Sequence, residues 1–210
     1  MKLSHIHLLL LSLLAFSSCS RQRLQNADLL FFMPSGQENA DSMDSAISGA
    51  TGGGYTHVGI VEIDKDGKAW IIETTPKLGV HRSRIDENWL ASQKAEGYRV
   101  DAKRVKSLSS AQECILRAKA LIGRPYDFAF LPGGDALYCS ELVYESYLDS
   151  DGRHIFKANP MNFRREDGSV DPYWTELFSS LGTDIPQGLD GTNPEDMSQD
   201  PSLIDVRTLN

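Results

Sequence analysis

The sequence predicts an α+β domain in which a mostly antiparallel sheet packs against helices. Two neighbouring β-rich runs, THVGIVEI (56–63) and KAWIIETT (68–75), are joined by a short turn sequence, a pattern typical of an antiparallel hairpin. Elsewhere, apolar residues recur at helical spacing behind residues that can cap a helix. Strands and helices do not alternate as they would in a doubly wound nucleotide-binding fold.

The N-terminal residues predict export from the cytoplasm. Residues 1–18 carry one lysine and an apolar run of roughly a dozen residues, which is too short to span a bilayer and has the size of a signal-peptide core. Phe16-Ser17-Ser18-Cys19 resembles the lipobox of bacterial lipoproteins. We therefore expect a signal peptide over 1–18, lipid attachment at Cys19, and a location at the cell envelope facing the periplasm or the exterior. The alternative is an ordinary cleaved signal peptide that leaves Cys19 as a free thiol.

The first elements after this segment are a strand and a helix. The apolar run ADLLFFM (27–33) predicts a buried strand. Apolar residues then recur at helical spacing over 43–50, behind Asp41 and Ser42, which can cap a helix. The glycine run 52–54 ends this helix.

Five further elements are expected between the hairpin and residue 182. They are a helix over 86–92, a strand over 97–102, a helix after the capping boxes of 109–113, a helix within 135–150 capped by Asp135, and a helix that starts at Asp171-Pro172 and stops at Gly182. We expect one domain over residues 19–182. The tail over 183–210 is rich in Pro, Gly, Asp and Asn, and it is expected to wrap the surface without regular structure.

Charge and composition exclude several classes of function. With 29 acidic and 21 basic residues the chain carries a net charge of −8, which argues against nucleic acid and against electrostatic adhesion to anionic lipid. A lipid anchor would then be the only attachment to a membrane. No Cys or His pair has zinc-ligand spacing, and the glycine run lacks the Lys-Ser/Thr helix start of a phosphate loop. Neither a metal nor another cofactor is expected, and the sequence identifies no protein partner.

Cys139 is the candidate nucleophile because it lies near the predicted start of a helix. A thiol attacks as the thiolate, and the unpaired amides and dipole of a helix N-terminus stabilise that anion. The same amides could donate to an oxyanion. Cys114 lies in the middle of a helix on an apolar stripe and is expected in the core. Two alternatives stay open: Cys139 is a buried, unreactive thiol, or it forms a disulfide with Cys114.

A cysteine nucleophile also needs a base, ordinarily a histidine, and a group that orients it. Beyond residue 18 the chain offers only His57, His81 and His154. His81 is a reserve base, although the neighbouring Arg82 and Arg84 oppose its positive charge. For a lone strand histidine such as His57, the alternative is a solvent-facing structural role.

The register of the predicted hairpin brings a carboxylate to His57. A turn with Gly67 as a left-handed bulge pairs Asp64 with Lys68 and therefore Gly59 with Glu73. His57 and Glu73 then become diagonal neighbours on one face of the sheet, and Gly59 leaves room for the carboxylate to lean toward the imidazole. A two-residue loop would instead send them to opposite faces and leave Glu73 solvated.

Four stretches of the sequence form a recognisable combination: THVGIVE, WIIETTP with a following LGV, IGRPYDF and YCSELVYESY. Together they resemble the permuted papain-like amidases of the YaeF/YiiX-like branch of the NlpC superfamily, over most of the chain beyond residue 18. In ordinary members of that superfamily a Gly-x-Pro-Tyr element precedes the nucleophile helix and the histidine comes later. Here His57 comes first, so the resemblance implies a circularly permuted papain-like fold.

The resemblance also implies roles for individual residues. It makes Cys139 the nucleophile, His57 the general base and Glu73 the orienting acid. Tyr126 is implied to lie near the oxyanion or the substrate, where Ser140 is a second candidate contact. Tyr126 could instead simply pack behind the preceding proline. The tail stretch PQGLDGTNPED (186–196) resembles related lipoproteins, but no chemical role follows from it.

We therefore predict a lipid-anchored cysteine amidase or peptidase that acts through an acyl-enzyme, with peptide amides of cell-wall fragments as the expected substrates. One alternative is a lipid-directed thioesterase or acyltransferase with the same nucleophile. An apolar acyl tunnel beside Cys139 would favour that alternative, whereas an open polar groove would favour a peptide. The other alternative is a non-catalytic lipoprotein that binds wall fragments.

Overall fold

The computed structural model of the chain describes residues 23–36 and 42–210. The expected signal peptide over 1–18, lipid attachment at Cys19 and the candidate cap Asp41 lie outside these ranges. Among the helices within them, none has both the length and the apolar character needed to cross a membrane.

A six-stranded sheet, in which every neighbouring pair is antiparallel, forms the centre of the fold. This sheet and the helices around it confirm the predicted α+β class. From one edge to the other, its strands are β4 (Gly79–Arg84), β3 (Ala69–Thr75), β2 (His57–Ile63), β1 (Asp28–Pro34), β5 (Tyr98–Val105) and β8 (Leu203–Thr208). A separate two-stranded sheet pairs β6 (Asn159–Pro160) with β7 (Asp190–Gly191).

The helices lie mostly where the capping residues predicted them. In the described part of the chain they are α1 (Met43–Thr51), α2 (Glu87–Ala95), α3 (Ala111–Ala120), α4 (Cys139–Ser146), α5 (Pro172–Leu181) and α6 (Pro194–Ser198). All of them except α4 begin behind a side chain that accepts a hydrogen bond from a first-turn amide. Helix α4 begins behind Tyr138, whose side chain makes no such bond.

The two faces of the sheet carry separate cores because side chains alternate along each strand. Leu29, Phe31 and Ile60 face α3 and α4 in the main core. Leu30 and Phe32 face the opposite side, where α2 packs. A third cluster, rich in aromatic residues, lies beside the start of α4 and is built largely from α5 and the loops before α4.

The hairpin has the predicted register. Gly67 has a φ of +75°, in the left-handed region, and the amide of Asp64 donates to the carbonyl of Lys68 at 2.9 Å. In the ladder that follows, Ile63 is opposite Ala69 and Ile60 is opposite Ile72. The bulge therefore places His57 and Glu73 on one face of the sheet.

The expectation that the tail over 183–210 lacks regular structure is wrong. Its last part forms β8, which pairs with β5 at the edge of the sheet, and α6 precedes it. Met197 and Leu203 are buried in the main core, so the tail is held by apolar burial as well as by backbone hydrogen bonds. Its Pro, Gly, Asp and Asn residues supply helix caps and turns between these short elements.

The expected cap at Asp135 is also wrong. Helix α4 begins four residues later, at Cys139. The intervening backbone is already engaged, because Leu137 donates to the carbonyl of Pro125 at 3.0 Å and accepts from the amide of Asp127 at 3.2 Å. Cys139 is therefore the first residue of the helix.

Asp28, at the start of β1, is fully buried, and among the described residues Arg104 is the cation paired with it. Arg104 contacts both of its carboxylate oxygens, at 2.6 and 2.9 Å. Replacing Arg104 with Met leaves a buried, unpaired carboxylate, so we expect the free energy of unfolding to fall by about 3–5 kcal/mol. Urea unfolding of the purified protein measures this loss.

The exposed pair of Arg153 and Asp151 supplies the matched control, and Arg153→Met is expected to cost less than about 1 kcal/mol. Equal losses for the two variants would show that the Asp28 pair does not stabilise the fold in this way.

Candidate active site

Cys139 occupies the first turn of α4, where backbone amides lack partners inside the helix. The residue is buried, at 5 % exposure, and the helix packs on β2 and β3. Because Tyr138 supplies no side-chain cap, the positive end of the helix dipole is not neutralised by its N-cap residue. This end of the helix is suited to stabilise a negative charge.

His57 and Glu73 lie where these strands face the start of α4. Nε2 of His57 is 2.7 Å from Oε2 of Glu73. Between the two strands, a Cβ at Gly59 would lie 3.2 Å from the Cβ of Glu73 and only 2.6 Å from the side chain of Ile71. Glycine at this position therefore gives the carboxylate the space to reach the imidazole, as the register predicted.

The thiol of Cys139 hydrogen-bonds to His57. Because Glu73 occupies Nε2, Nδ1 is the ring nitrogen left for the sulfur. Burial alone would lower the pKa of His57, but hydrogen bonds and charge attraction from Cys139 and Glu73 outweigh burial and raise this pKa to about 10. The arrangement thus favours the protonated, imidazolium form of His57.

The other two described histidines lie elsewhere. His81 is opposite Glu73 on β4, and its Nε2 is 3.6 Å from the second oxygen of that carboxylate. His81 therefore contacts the carboxylate of Glu73, whereas His57 contacts both this carboxylate and the thiol of Cys139. His154 stacks on Tyr144 with the ring centroids 3.7 Å apart.

Cys114 differs from Cys139 in its place in the helix and in its neighbours. It is fully buried in the middle of α3, and burial raises its pKa to about 12. A thiol in this state is inert as a nucleophile. Both cysteines are free, so the alternative of a disulfide between them is wrong.

Tyr126 and Ser140 both lie beside Cys139. The ring of Tyr126 lines the space on both sides of the thiol, and its hydroxyl donates to Sδ of Met43 at 3.5 Å. Burial raises the pKa of Tyr126 well above its ordinary value, which keeps the hydroxyl protonated. The Oγ of Ser140 is buried and accepts a hydrogen bond from Thr192 at 3.0 Å.

A polar groove, with a cavity volume of about 310 Å³, opens onto the thiol from the side of His57. Its base is formed by His57, Glu73 and Cys139. The walls carry the side chains of Ser42, Asp44, Thr75, Gln93 and Glu96. Apolar side chains line the rest of the groove, among them Phe32, Met43, Ile47 and Pro76. A substrate therefore reaches the sulfur past both hydrogen-bonding and apolar groups.

A second, apolar pocket of about 50 Å³ lies on the other side of Cys139. Phe130 forms part of its wall with a φ of +53°, a left-handed conformation that is strained for a bulky residue. Asp127 holds this turn by accepting from the amides of Ala129 and Leu131 at 2.8 and 2.7 Å. The wall of the pocket is thus fixed in a costly conformation.

Sequence reasoning missed the contribution of the tail to this site. Thr192 contacts Ser140, and with Asn193 and Pro194 it lines the apolar pocket. The signal was present in PQGLDGTNPED, but a run of turn-forming residues does not reveal the element against which it packs.

Comparison with known proteins shows which family this chain matches. The family model for permuted papain-like amidase enzymes (YaeF/YiiX, C92 family) matches residues 24–207. The uncharacterised protein YiiX of Escherichia coli K12 is 28 % identical over 202 residues, which cover 95 % of this chain and 94 % of that protein. The crystal structure of metalloprotein YiiX from Escherichia coli O157:H7 superposes with a TM-score of 0.67 at 24 % identity, covering 89 % of this chain and 96 % of that one.

The solved relative is described as a metalloprotein, which raises the question of a metal site in this chain. Across residues 23–36 and 42–210, no group of three or more His, Cys, Asp or Glu side chains is placed to hold a metal ion. The carboxylate of Glu73 is already engaged by two histidines. The described residues therefore do not fit a metal centre.

The histidine beside the thiol has a testable protonation state. We expect the His57 imidazole to remain protonated at about pH 8, because its pKa is raised to about 10. In Cys139→Ala and in Glu73→Gln, one of the groups that raises this pKa is removed, so the titration should move toward 6.5. Nitrogen-15 NMR of the imidazole measures all three titrations, and a neutral His57 at this pH in the unchanged protein would contradict the assignment.

Proposed function

This chain belongs to the permuted papain-like amidases of the YaeF/YiiX, C92 family, and on that premise we propose that Cys139, His57 and Glu73 are its nucleophile, general base and orienting acid. The family consists of papain-like cysteine amidases, so the chain is a cysteine-dependent amidohydrolase. The observation that carries the residue assignment is the position of His57, which bonds to Glu73 on one side and to the thiol of Cys139 on the other.

The proposed reaction follows from this order of groups. His57 takes the proton of Cys139, and the thiolate attacks the carbonyl carbon of an amide, forming a C–S bond as the carbonyl π electrons move to oxygen. When the tetrahedral intermediate collapses, the C–N bond breaks and the imidazolium gives its proton to the leaving amine. Water, deprotonated by His57, then cleaves the thioester and releases the acid.

The start of α4 supplies the groups that stabilise the oxyanion. The amides of Cys139 and Ser140 belong to the first turn, which has no intrahelical acceptor for them. Tyr126 is a second donor in reach of this region, because it lines the space beside the thiol and stays protonated. Donors fixed in a buried site stabilise developing charge without reorganisation.

Glu73 orients the base because its position is fixed from two sides. The carboxylate lies between His57 at 2.7 Å and His81 at 3.6 Å and is nearly buried. A carboxylate held in this way fixes the tautomer and the ring orientation of His57, and it stabilises the imidazolium as it forms.

The groove supports a peptide as the substrate. Its hydrogen-bonding walls suit backbone amides, and the carboxylates of Asp44 and Glu96 disfavour the anionic headgroups of phospholipids. We propose peptide amides of cell-wall fragments, cleaved by an enzyme that Cys19 anchors to the envelope membrane. The signal-peptide-like residues 1–18 and the lipobox-like sequence before Cys19 support the location.

The apolar pocket bears on the alternative of a lipid-directed acyl enzyme. Its volume of about 50 Å³ is about a third of the cavity of roughly 150 Å³ that accommodates one benzene molecule. Such a space fits a small apolar side chain but not a long acyl chain. The pocket therefore favours a peptide with a small residue on the acyl side of the scissile bond.

Removing the nucleophile tests the mechanism. We expect Cys139→Ala to abolish amide hydrolysis, and we expect His57→Ala to lower kcat by about 10²–10⁴-fold because proton transfer is lost. Mass spectrometry of the stopped reaction should detect an acyl adduct on Cys139. The control Cys114→Ala removes the inert thiol and should keep the activity. Full activity in Cys139→Ala would refute the assignment and leave a binding protein as the alternative.

The substrate class is tested with wall-derived peptides and long-chain acyl thioesters as competing substrates. We expect the peptides to give a kcat/KM at least about tenfold higher, a difference of roughly 1.4 kcal/mol in transition-state stabilisation, because the pocket excludes long chains. Each assay is paired with the same assay of Cys139→Ala. Faster turnover of the thioesters would instead support the lipid-directed enzyme.

A further inference from the structure

We propose that Thr192 and Glu195, in the C-terminal tail, are positioning residues that hold His57 and Cys139 in contact. The inference rests on the proposed function, since it concerns how that site is assembled. The four-residue segment 192–195, which we call the tail clamp, contacts both the loop before β2 and the start of α4.

Glu195 binds the backbone that leads into His57. Its Oε2 accepts from the amides of Gly54 and Tyr55, each at 2.9 Å. Two hydrogen bonds to one charged oxygen are stronger than bonds between neutral groups. They fix the chain two residues before His57, where the strand begins.

The contact between Glu195 and the backbone explains why glycines follow α1. A Cβ at Gly53 would overlap the side-chain carbons of Glu195, and a Cβ at Gly54 would lie 2.6 Å from the end of Met33. The glycines let the carboxylate lie against the backbone. Gly52 serves a different purpose, because its φ of +68° ends α1.

Glu195 is itself held in place. The side-chain amide of Gln199 donates through Nε2 to its other oxygen, Oε1, at 2.6 Å. Asn193 caps α6 by accepting from the amide of Asp196, and Met197 anchors the helix in the main core at 4 % exposure. The carboxylate is therefore a fixed support for the loop.

Thr192 binds the other half of the site. Its amide donates to the hydroxyl of Tyr138 at 3.1 Å, and its hydroxyl donates to Oγ of Ser140 at 3.0 Å. These two residues flank Cys139. Within the tail clamp, Thr192 thus fixes the residues on both sides of Cys139, and Glu195 fixes the backbone that leads to His57.

The rate of the proposed reaction depends on the distance between the imidazole of His57 and the thiol of Cys139. Misplacing a reacting group by about 1 Å can cost on the order of 10²-fold in rate, because the reactants leave the productive geometry. Loss of the Glu195 contact should accordingly lower kcat and leave KM nearly unchanged, since Glu195 lines neither the polar groove nor the apolar pocket.

The experiment compares Glu195→Ala, Glu195→Gln and Thr192→Val in the full chain with the exposed control Glu176→Ala. We expect Glu195→Ala to lower kcat by about 10–100-fold. Glu195→Gln, which keeps an acceptor oxygen, should recover most of this loss, and Thr192→Val should lower kcat by several-fold. The control should match the unchanged protein.

A readout without substrate separates positioning from simple stability and from failure of the proposed function. Nitrogen-15 NMR should show the His57 titration moving downward in Glu195→Ala, because its contact with Cys139 loosens, while urea unfolding shows the protein still folded. If Glu195→Ala does not fold, the same measurements on Glu195→Gln and Thr192→Val test the proposal. If the His57 titration and kcat are unchanged in the folded variants, the tail clamp is overturned. If the variants shift the His57 titration but the unchanged protein hydrolyses no amide, only the proposed function is refuted.

Discussion

The proposed active site depends on the pairing register of one hairpin. Gly67 adopts the left-handed conformation and adds one residue to the turn between β2 and β3. Because side chains alternate along a strand, a shift of one residue would send Glu73 to the face opposite His57. With this register, the carboxylate leans over Gly59 to the imidazole, and α4 packs on the same face with its first residue at the imidazole. The position of each of the three groups follows from a backbone constraint rather than from a flexible loop.

Local signals were sufficient to predict this part of the molecule. Turn chemistry gave the register, capping residues gave the helices, and the position of Cys139 near a helix start distinguished it from Cys114. The remainder depends on contacts between distant segments. Asp135 is a good capping residue, but it does not cap α4, because the adjacent Leu137 pairs with the strand-like segment at Pro125–Asp127. The edge strands β4 and β8 escaped prediction for a related reason: they carry many charged residues, and their structure is decided by pairing with β3 and β5.

Two spaces of different character meet at the sulfur of Cys139. The polar groove and the apolar pocket share Tyr126 and Cys139 as lining residues, so the thiol lies where the two spaces meet. This division suits a polar chain that carries one small apolar group. The charge on His57 lies beside the carboxylate of Glu73 and against the buried ring of Phe32, with the ring centroids 4.9 Å apart.

The separation of β5 and β8 in the sequence has a consequence for biosynthesis. Strand β5 ends at Val105 and β8 begins only at Leu203, so one edge of β5 finds its partner only after β8 has left the ribosome. Until then an open row of amides and carbonyls can pair with a neighbouring nascent chain. Early termination of translation would therefore yield an association-prone polypeptide rather than a smaller enzyme.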